Sequence, residues 1–136
     1  MRKIGILSTL FLFVFLAACK KYDEGPFVSV RSKKERIVNE WKVDEATADD
    51  GSETTSQYDG EVWKFTDDNE YFFRNDSTGG SQVEGKWHFE GDKEEIYLSG
   101  PVYMPHKGEY NILRLKEEEL WLVRESDNEE IHLIPN

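Results

Sequence analysis

An all-β fold, a small antiparallel up-and-down β-barrel of about eight strands with a short N-terminal helix, is what the residue pattern of this chain predicts. Three observations carry it. From Trp41 onward apolar side chains recur at period two, as they do along half-buried strands, in eight runs: Trp41/Val43, Trp63/Phe65, Tyr71/Phe73, Val83/Gly85/Trp87/Phe89, Ile96/Leu98, Leu113/Leu115, Leu120/Leu122 and Ile131/Leu133. Turn-forming clusters separate them, among them Asp49-Asp50-Gly51, Thr66-Asp67-Asp68-Asn69, Ser77-Thr78-Gly79-Gly80, Gly91-Asp92-Lys93 and Ser126-Asp127-Asn128. Most of the links are too short for the crossover that a parallel pair needs, so successive strands run antiparallel, and closing the sheet removes edges on which other chains could pair.

Residues 1–18 come first and read as a signal segment. Met1-Arg2-Lys3 supplies positive charge, and the apolar run from Ile4 to Leu16 is shorter than the roughly 20 residues of a spanning helix. The run ends in Leu16-Ala17-Ala18-Cys19, small residues before the chain's only cysteine. This resembles a bacterial lipoprotein precursor cut between Ala18 and Cys19, and the resemblance implies that Cys19 is the lipid attachment site and that the mature protein is membrane-anchored. Each buried methylene contributes about 0.8 kcal/mol and one fatty chain holds a protein only reversibly, so the two or three chains of a lipoprotein cysteine make a lasting anchor.

Residues 19–31 form the lipidated N-terminus and tether, with Gly25-Pro26 and no sustained period. Fully extended, about 12 residues reach roughly 40 Å. The domain follows at 32–136. Ser32-Lys33-Lys34-Glu35 fits a capping box, with Ile37, Val38 and Trp41 at helical spacing behind it, which predicts one or two helical turns before the first strand. Two links are longer than the rest, Asp44 to Asp59 and Gly100 to Lys107, and these are places for a mouth loop or lid.

Removing residues 1–18 from 136 leaves 118, enough for one modest core. Arg2 and Lys3 leave with that segment, so 15 basic residues face 28 acidic ones and the net charge is −13. Such a surface repels phosphate backbones, so nucleic acid is not an expected partner. With a single cysteine there is no intramolecular disulfide, and stability rests on packing by four Trp, six Tyr and the five Phe beyond the signal.

Along the mature chain the order Lys20-Lys21-Tyr22-Asp23-Glu24-Gly25-Pro26, Asn39-Glu40-Trp41, Gly85-Lys86-Trp87-His88-Phe89, Leu120-Trp121-Leu122 and His132-Leu133-Ile134-Pro135 is similar to the lipocalin-like lipoproteins of Bacteroidota outer membranes. A lipocalin opens with a short helix and a first strand carrying G-x-W; here Asn39 stands in the glycine position. The resemblance implies a lipocalin-like barrel, attachment to the bacterial outer membrane on its periplasmic face or at the cell surface, Trp41 buried at the closed end, and Arg124 lying over that tryptophan. It also makes Asp23-Glu24 a candidate surface-export signal and Asp76-Ser77-Thr78 a candidate O-glycosylation acceptor at Ser77.

An eight-stranded barrel is just wide enough to be filled by its own side chains or to hold one small ligand. If it is partly open, Tyr71, Phe73 and Trp87 are the residues expected to line it. The leading functional expectation is a lipid-anchored, non-catalytic envelope protein that binds a small apolar ligand. The alternative is an accessory lipoprotein whose packed barrel docks an envelope protein partner. His88, His106 and His132 are isolated, His88 and His132 on outward strand positions and His106 in a loop beside Met104, with no metal-ligand spacing among them. The acidic pairs Asp49-Asp50, Asp67-Asp68, Glu94-Glu95 and Glu129-Glu130 lack the D-x-D-x-D-G spacing of a calcium loop and read as solvated turns. No nucleophile elbow, phosphate loop or dinucleotide fingerprint occurs, so neither an enzyme nor a cofactor is expected.

Overall fold

A computed structural model describes residues 30–136 of the chain. Cys19, the signal segment, Asp23-Glu24 and most of the tether lie outside the described residues. Eight antiparallel strands follow in sequence order and close on themselves: β1 (Asn39–Thr47), β2 (Glu61–Phe65), β3 (Glu70–Asn75), β4 (Val83–Glu90), β5 (Glu95–Ser99), β6 (Gly108–Leu115), β7 (Leu120–Arg124) and β8 (Glu130–Pro135). β1 completes the circuit by pairing with both β2 and β8. Among the described residues no helix is long and apolar enough to cross a membrane.

One helix precedes the strands, α1 (Lys33–Ile37). Its start is set by a reciprocal cap: Glu35 N donates to Ser32 Oγ at 3.2 Å and Ser32 N donates to the Glu35 carboxylate at 2.6 Å. Its end is tied to the barrel, because Trp41 Nε1 donates to the Ile37 carbonyl at 2.8 Å and so satisfies a backbone acceptor that the helix itself leaves open. Arg36 donates to the Leu115 carbonyl and Lys34 to Asn69 Oδ1, and α1 therefore closes one end of the barrel.

Period two is obeyed because one face of each strand is buried against the others. Trp41, Trp63, Phe65, Tyr71, Trp87, Ile96, Leu98, Tyr110, Leu115, Leu120, Leu122, Ile131 and Leu133 are all within 1% of complete burial. Rings lie directly on rings: Phe65 and Tyr71 have centroids 5.2 Å apart, Phe65 and Trp87 5.6 Å, and Trp87 and Phe89 5.3 Å. The interior is thus filled by its own aromatic and aliphatic side chains.

Two bulges shift the alternation. In β1 the register against β8 slips between Val43 and Glu45, so Ala46, not Glu45, is the next buried residue. In β6 it slips between Ile112 and Arg114, which corrects the expected Leu113/Leu115 pair. Tyr110, Ile112 and Leu115 face inward, and Leu113 is 39% exposed.

Candidate ligand site at the barrel mouth

The end of the barrel opposite α1 is where β2 and β6 begin and where β3 and β7 finish, and both long links fold across it. The first carries a 3-10 turn, Thr55–Tyr58, that buries Tyr58. The second carries Met104 and His106. Met104 seats this link: a Cβ added at Gly85 of β4 would lie 2.7 Å from its Sδ, and one added at Gly100 only 2.4 Å. Beyond that seat the chain turns sharply, His106 at φ +59° and Gly108 at φ +128°. His106 therefore holds a left-handed conformation that non-glycine residues seldom adopt.

That turn aims the imidazole into the mouth. It stacks on Trp63 at 4.8 Å between centroids and 24° between planes, and on Tyr58 at 5.4 Å and 29°. Phe73 meets its edge at 5.5 Å. Nε2 lies 2.9 Å from one Glu61 carboxylate oxygen and 3.1 Å from the other. A carboxylate can only accept, so Nε2 carries the proton. Trp63 Nε1 donates to the same carboxylate at 3.1 Å, and Glu61 is only 8% exposed. The Tyr110 hydroxyl donates to the His106 carbonyl at 2.8 Å, fixing the loop backbone as well as its ring.

Beneath these groups Tyr71 stands edge-on to Trp63, fully buried, and its hydroxyl has no hydrogen-bond partner among the described residues. Burial raises the phenols of Tyr58, Tyr71 and Tyr110 above the usual tyrosine range, so all three are neutral at physiological pH and able to donate.

A second polar network adjoins the first through Tyr58. Arg124 Nη2 donates to the Tyr58 hydroxyl at 2.7 Å and to the Glu129 carboxylate, and Tyr58 in turn donates to Glu129 at 2.7 Å. Thr54 also donates to Glu129, which is 7% exposed. On the outside a recess of about 210 Å³, lined by Lys42, Val43, Gly60 and Asp76 among others, reaches the same Tyr58 and Glu61. It lies where β1, after only three paired residues, leaves β2 and the 3-10 turn covers the seam.

Of the residues expected to line an interior, Tyr71 and Phe73 belong to this mouth. Trp87 does not: it is buried toward the α1 end, its Nε1 donating to the Thr66 carbonyl at 3.0 Å. Trp41 is completely buried at that same end. Arg124 is a correction. Leu120, at the start of β7, pairs with Leu133, while Trp41 pairs with Pro135, so Arg124 at the far end of β7 sits at the mouth and not over Trp41. Ser77 is exposed in its turn, its hydroxyl 2.7 Å from Asn75 Oδ1 and 3.1 Å from the Asp59 carbonyl. His88 and His132 lie on the outer surface, His132 stacked on Trp121 at 4.0 Å. Among the described residues no group of three or more His, Cys, Asp or Glu is placed to hold a metal ion.

Glu61 and Tyr58 escaped notice in the sequence, and Glu129 is a correction: expected in a solvated turn, it is buried because Thr54, Tyr58 and Arg124 all donate to its carboxylate. A signal for Glu61 was present, since positions 61, 63 and 65 share the inward face of β2 and an acid there is out of place.

No protein-family model matches the chain, and no curated protein does. Solved structures do match. A lipocalin-like protein from Bacteroides uniformis is 15% identical, with a TM-score of 0.59 over 74% of this chain and 99% of that one. An uncharacterized protein from Bacteroides eggerthii is 13% identical, with a TM-score of 0.57 over 74% and 99% of the two chains. A DUF4847-family protein from Bacteroides vulgatus is 12% identical, with a TM-score of 0.55 over 76% and 96%. At these identities the likeness is one of fold, and the fold of this chain is the lipocalin-like closed barrel.

Proposed function

We propose that this is a lipid-anchored, non-catalytic protein of the bacterial outer membrane that binds a small ligand at the capped mouth of its barrel. The observation that carries the reading is Glu61, an almost buried carboxylate in a box of aromatic rings, covered by a side chain that arrives from a loop. Burying a carboxylate costs several kcal/mol unless it is paired, and a side chain that only filled space would need no such partner. The filled interior argues against an apolar ligand deep in the barrel and supports a site at the mouth, where Tyr71 and Phe73 meet the loops. The anchoring rests on Leu16-Ala17-Ala18-Cys19 and the apolar run before it.

The filled core also favours a second reading, a solid barrel whose acidic outer surface docks an envelope protein. Titrating the purified full-length protein with fatty acids, sterols, porphyrin-like rings and aromatic metabolites separates the two. Saturable change in tryptophan fluorescence, with a rise in melting temperature by mass action, supports the ligand site. Silence across the panel leaves the docking module.

A further inference from the structure

We propose that the mouth is a binding site for a planar organic cation, and that the His106 imidazole occupies it in the closed state as an internal stand-in for that ligand. The inference rests on the ligand-binding reading above and specifies its chemistry. What surrounds His106 is a recognition set for a flat, N–H-bearing ring. Trp63 and Tyr58 offer their faces at 4.8 and 5.4 Å, Phe73 closes one edge, and both oxygens of Glu61 lie within hydrogen-bond distance of one ring nitrogen. Aromatic faces attract cations through their quadrupole, most strongly where water is excluded, and a carboxylate with two oxygens presented together suits a forked N–H donor.

The loop that delivers His106 is built to leave. Its tip exposes Val102 and Tyr103 at 94% and 78%, so Met104 carries the apolar burial that holds it there. Met104 and the Tyr110 hydrogen bond are its inward ties, and two residues beyond the left-handed His106 stands Gly108, also at positive φ, which can absorb a backbone rotation. With the imidazole withdrawn, the unpartnered hydroxyl of Tyr71, whose ring stands edge-on to Trp63, supplies a donor or acceptor that the closed form leaves unused. The outer recess is bordered by Tyr58 and Glu61, two members of the same box.

The test titrates benzamidinium, a planar cation, against benzamide, its neutral isostere, with the full-length protein in detergent, read by tryptophan fluorescence and melting temperature. Wild-type protein should bind benzamidinium saturably below about 10 mM and at least about tenfold more tightly than benzamide. Glu61→Gln should weaken benzamidinium by about tenfold or more and leave benzamide unchanged. His106→Gly removes the competitor and relieves the left-handed strain, so benzamidinium should bind about tenfold or more tightly than to wild type, since apparent affinity is reduced by the fraction of molecules that are open. Imidazolium should raise the melting temperature of this variant more than that of wild type. His106→Ala serves if the glycine variant lacks native near-ultraviolet circular dichroism, and if neither folds the wild-type and Glu61→Gln titrations decide. Equal binding of the two isosteres, an affinity unmoved by loss of His106, or no saturable response to benzamidinium in any folded form overturns the proposal. If an apolar compound binds and benzamidinium does not, the ligand-binding reading survives and this inference fails; if nothing binds, both fail.

Discussion

Replacing Gly85 with alanine reverses the sign that strand propensity alone would give. A glycine inside a strand is less favourable than alanine by roughly 0.5–1 kcal/mol, and a buried methyl group contributes about 0.8 kcal/mol more. With open space beside it, Gly85→Ala would stabilise the barrel by about 1–2 kcal/mol. There is no such space. The new Cβ would lie 2.2 Å from the Ser99 carbonyl oxygen, 2.7 Å from Met104 Sδ and 2.8 Å from Met104 Cε.

The Ser99 carbonyl belongs to β5 where it pairs with Lys86, so it yields only by opening the β4–β5 ladder. The thioether can swing, but only out of the seat that holds the mouth loop. Overpacking of this kind costs typically 1–3 kcal/mol, and Gly85→Ala is expected to destabilise by about that amount. Urea unfolding followed by tryptophan fluorescence should give a lower midpoint at unchanged slope. A double-mutant cycle with Met104→Ala should show coupling of about 0.5–3 kcal/mol, as contacting residues do. A midpoint equal to or above wild type would mean that Met104 does not sit against β4, and the account of how the loop is held would be wrong.

Trp41→Ala should cost about 3–5 kcal/mol, because the indole is completely buried and its Nε1 closes the end of α1; a loss below about 1 kcal/mol would place it outside the core. Glu109 is hydrogen-bonded to Glu125 and repelled by it, with Glu90 adding to both effects, and its carboxyl is pushed up from 4.5 to about 7. The folded protein therefore holds a proton that the unfolded chain has lost between those values, so this group makes stability fall as pH rises from 4.5 to about 7. Glu109→Gln should match wild type near pH 4 and exceed it near pH 8 in urea midpoint, and a gain confined to the acid side would contradict the sign. Cys19→Ser should abolish acylation, and metabolic labelling that still marks the variant with fatty acid would remove the anchor from the proposal.

Where sequence and structure meet, they meet through local rules. The capping box at Ser32 and Glu35 is a four-residue pattern, and eight stretches of alternation are legible because each strand has one face in the core. Leu113 shows the limit. One extra residue in β6 turns every later side chain to the other face, and no local signal at Asn111 to Arg114 announces the bulge. Arg124 shows another. Its height in the barrel follows from the pairing of Leu120 with Leu133, a registry set by all eight strands together. The lengths of the two long links foretold that loops would meet at a mouth. That His106 turns inward was not legible, because it depends on a left-handed backbone and on a carboxylate 45 residues earlier.

The two ends of the barrel solve the same closure problem by different chemistry. At the α1 end a helix cap, an indole hydrogen-bonded to the helix it follows, and bonds from Arg36 and Lys34 to the Leu115 carbonyl and the Asn69 amide lie over apolar side chains. No carboxylate of the described residues is buried among them. At the mouth closure depends on two largely buried carboxylates, Glu61 held by His106 from 45 residues away, and Glu129 held by Arg124 across the β7–β8 turn and by Tyr58 from 71 residues away. A left-handed non-glycine residue costs of order 1–3 kcal/mol, and an unpartnered buried hydroxyl such as Tyr71 costs a similar amount. Buried polar and ionic pairs, moreover, can often be replaced by well-packed apolar residues with no loss of stability. A leucine or phenylalanine in place of His106 and Glu61 would make the simpler plug. Stability alone therefore does not account for the mouth, whereas the proposed ligand site would use what is found there: polar groups that can pair with a ligand, and a loop held by contacts that a ligand could replace.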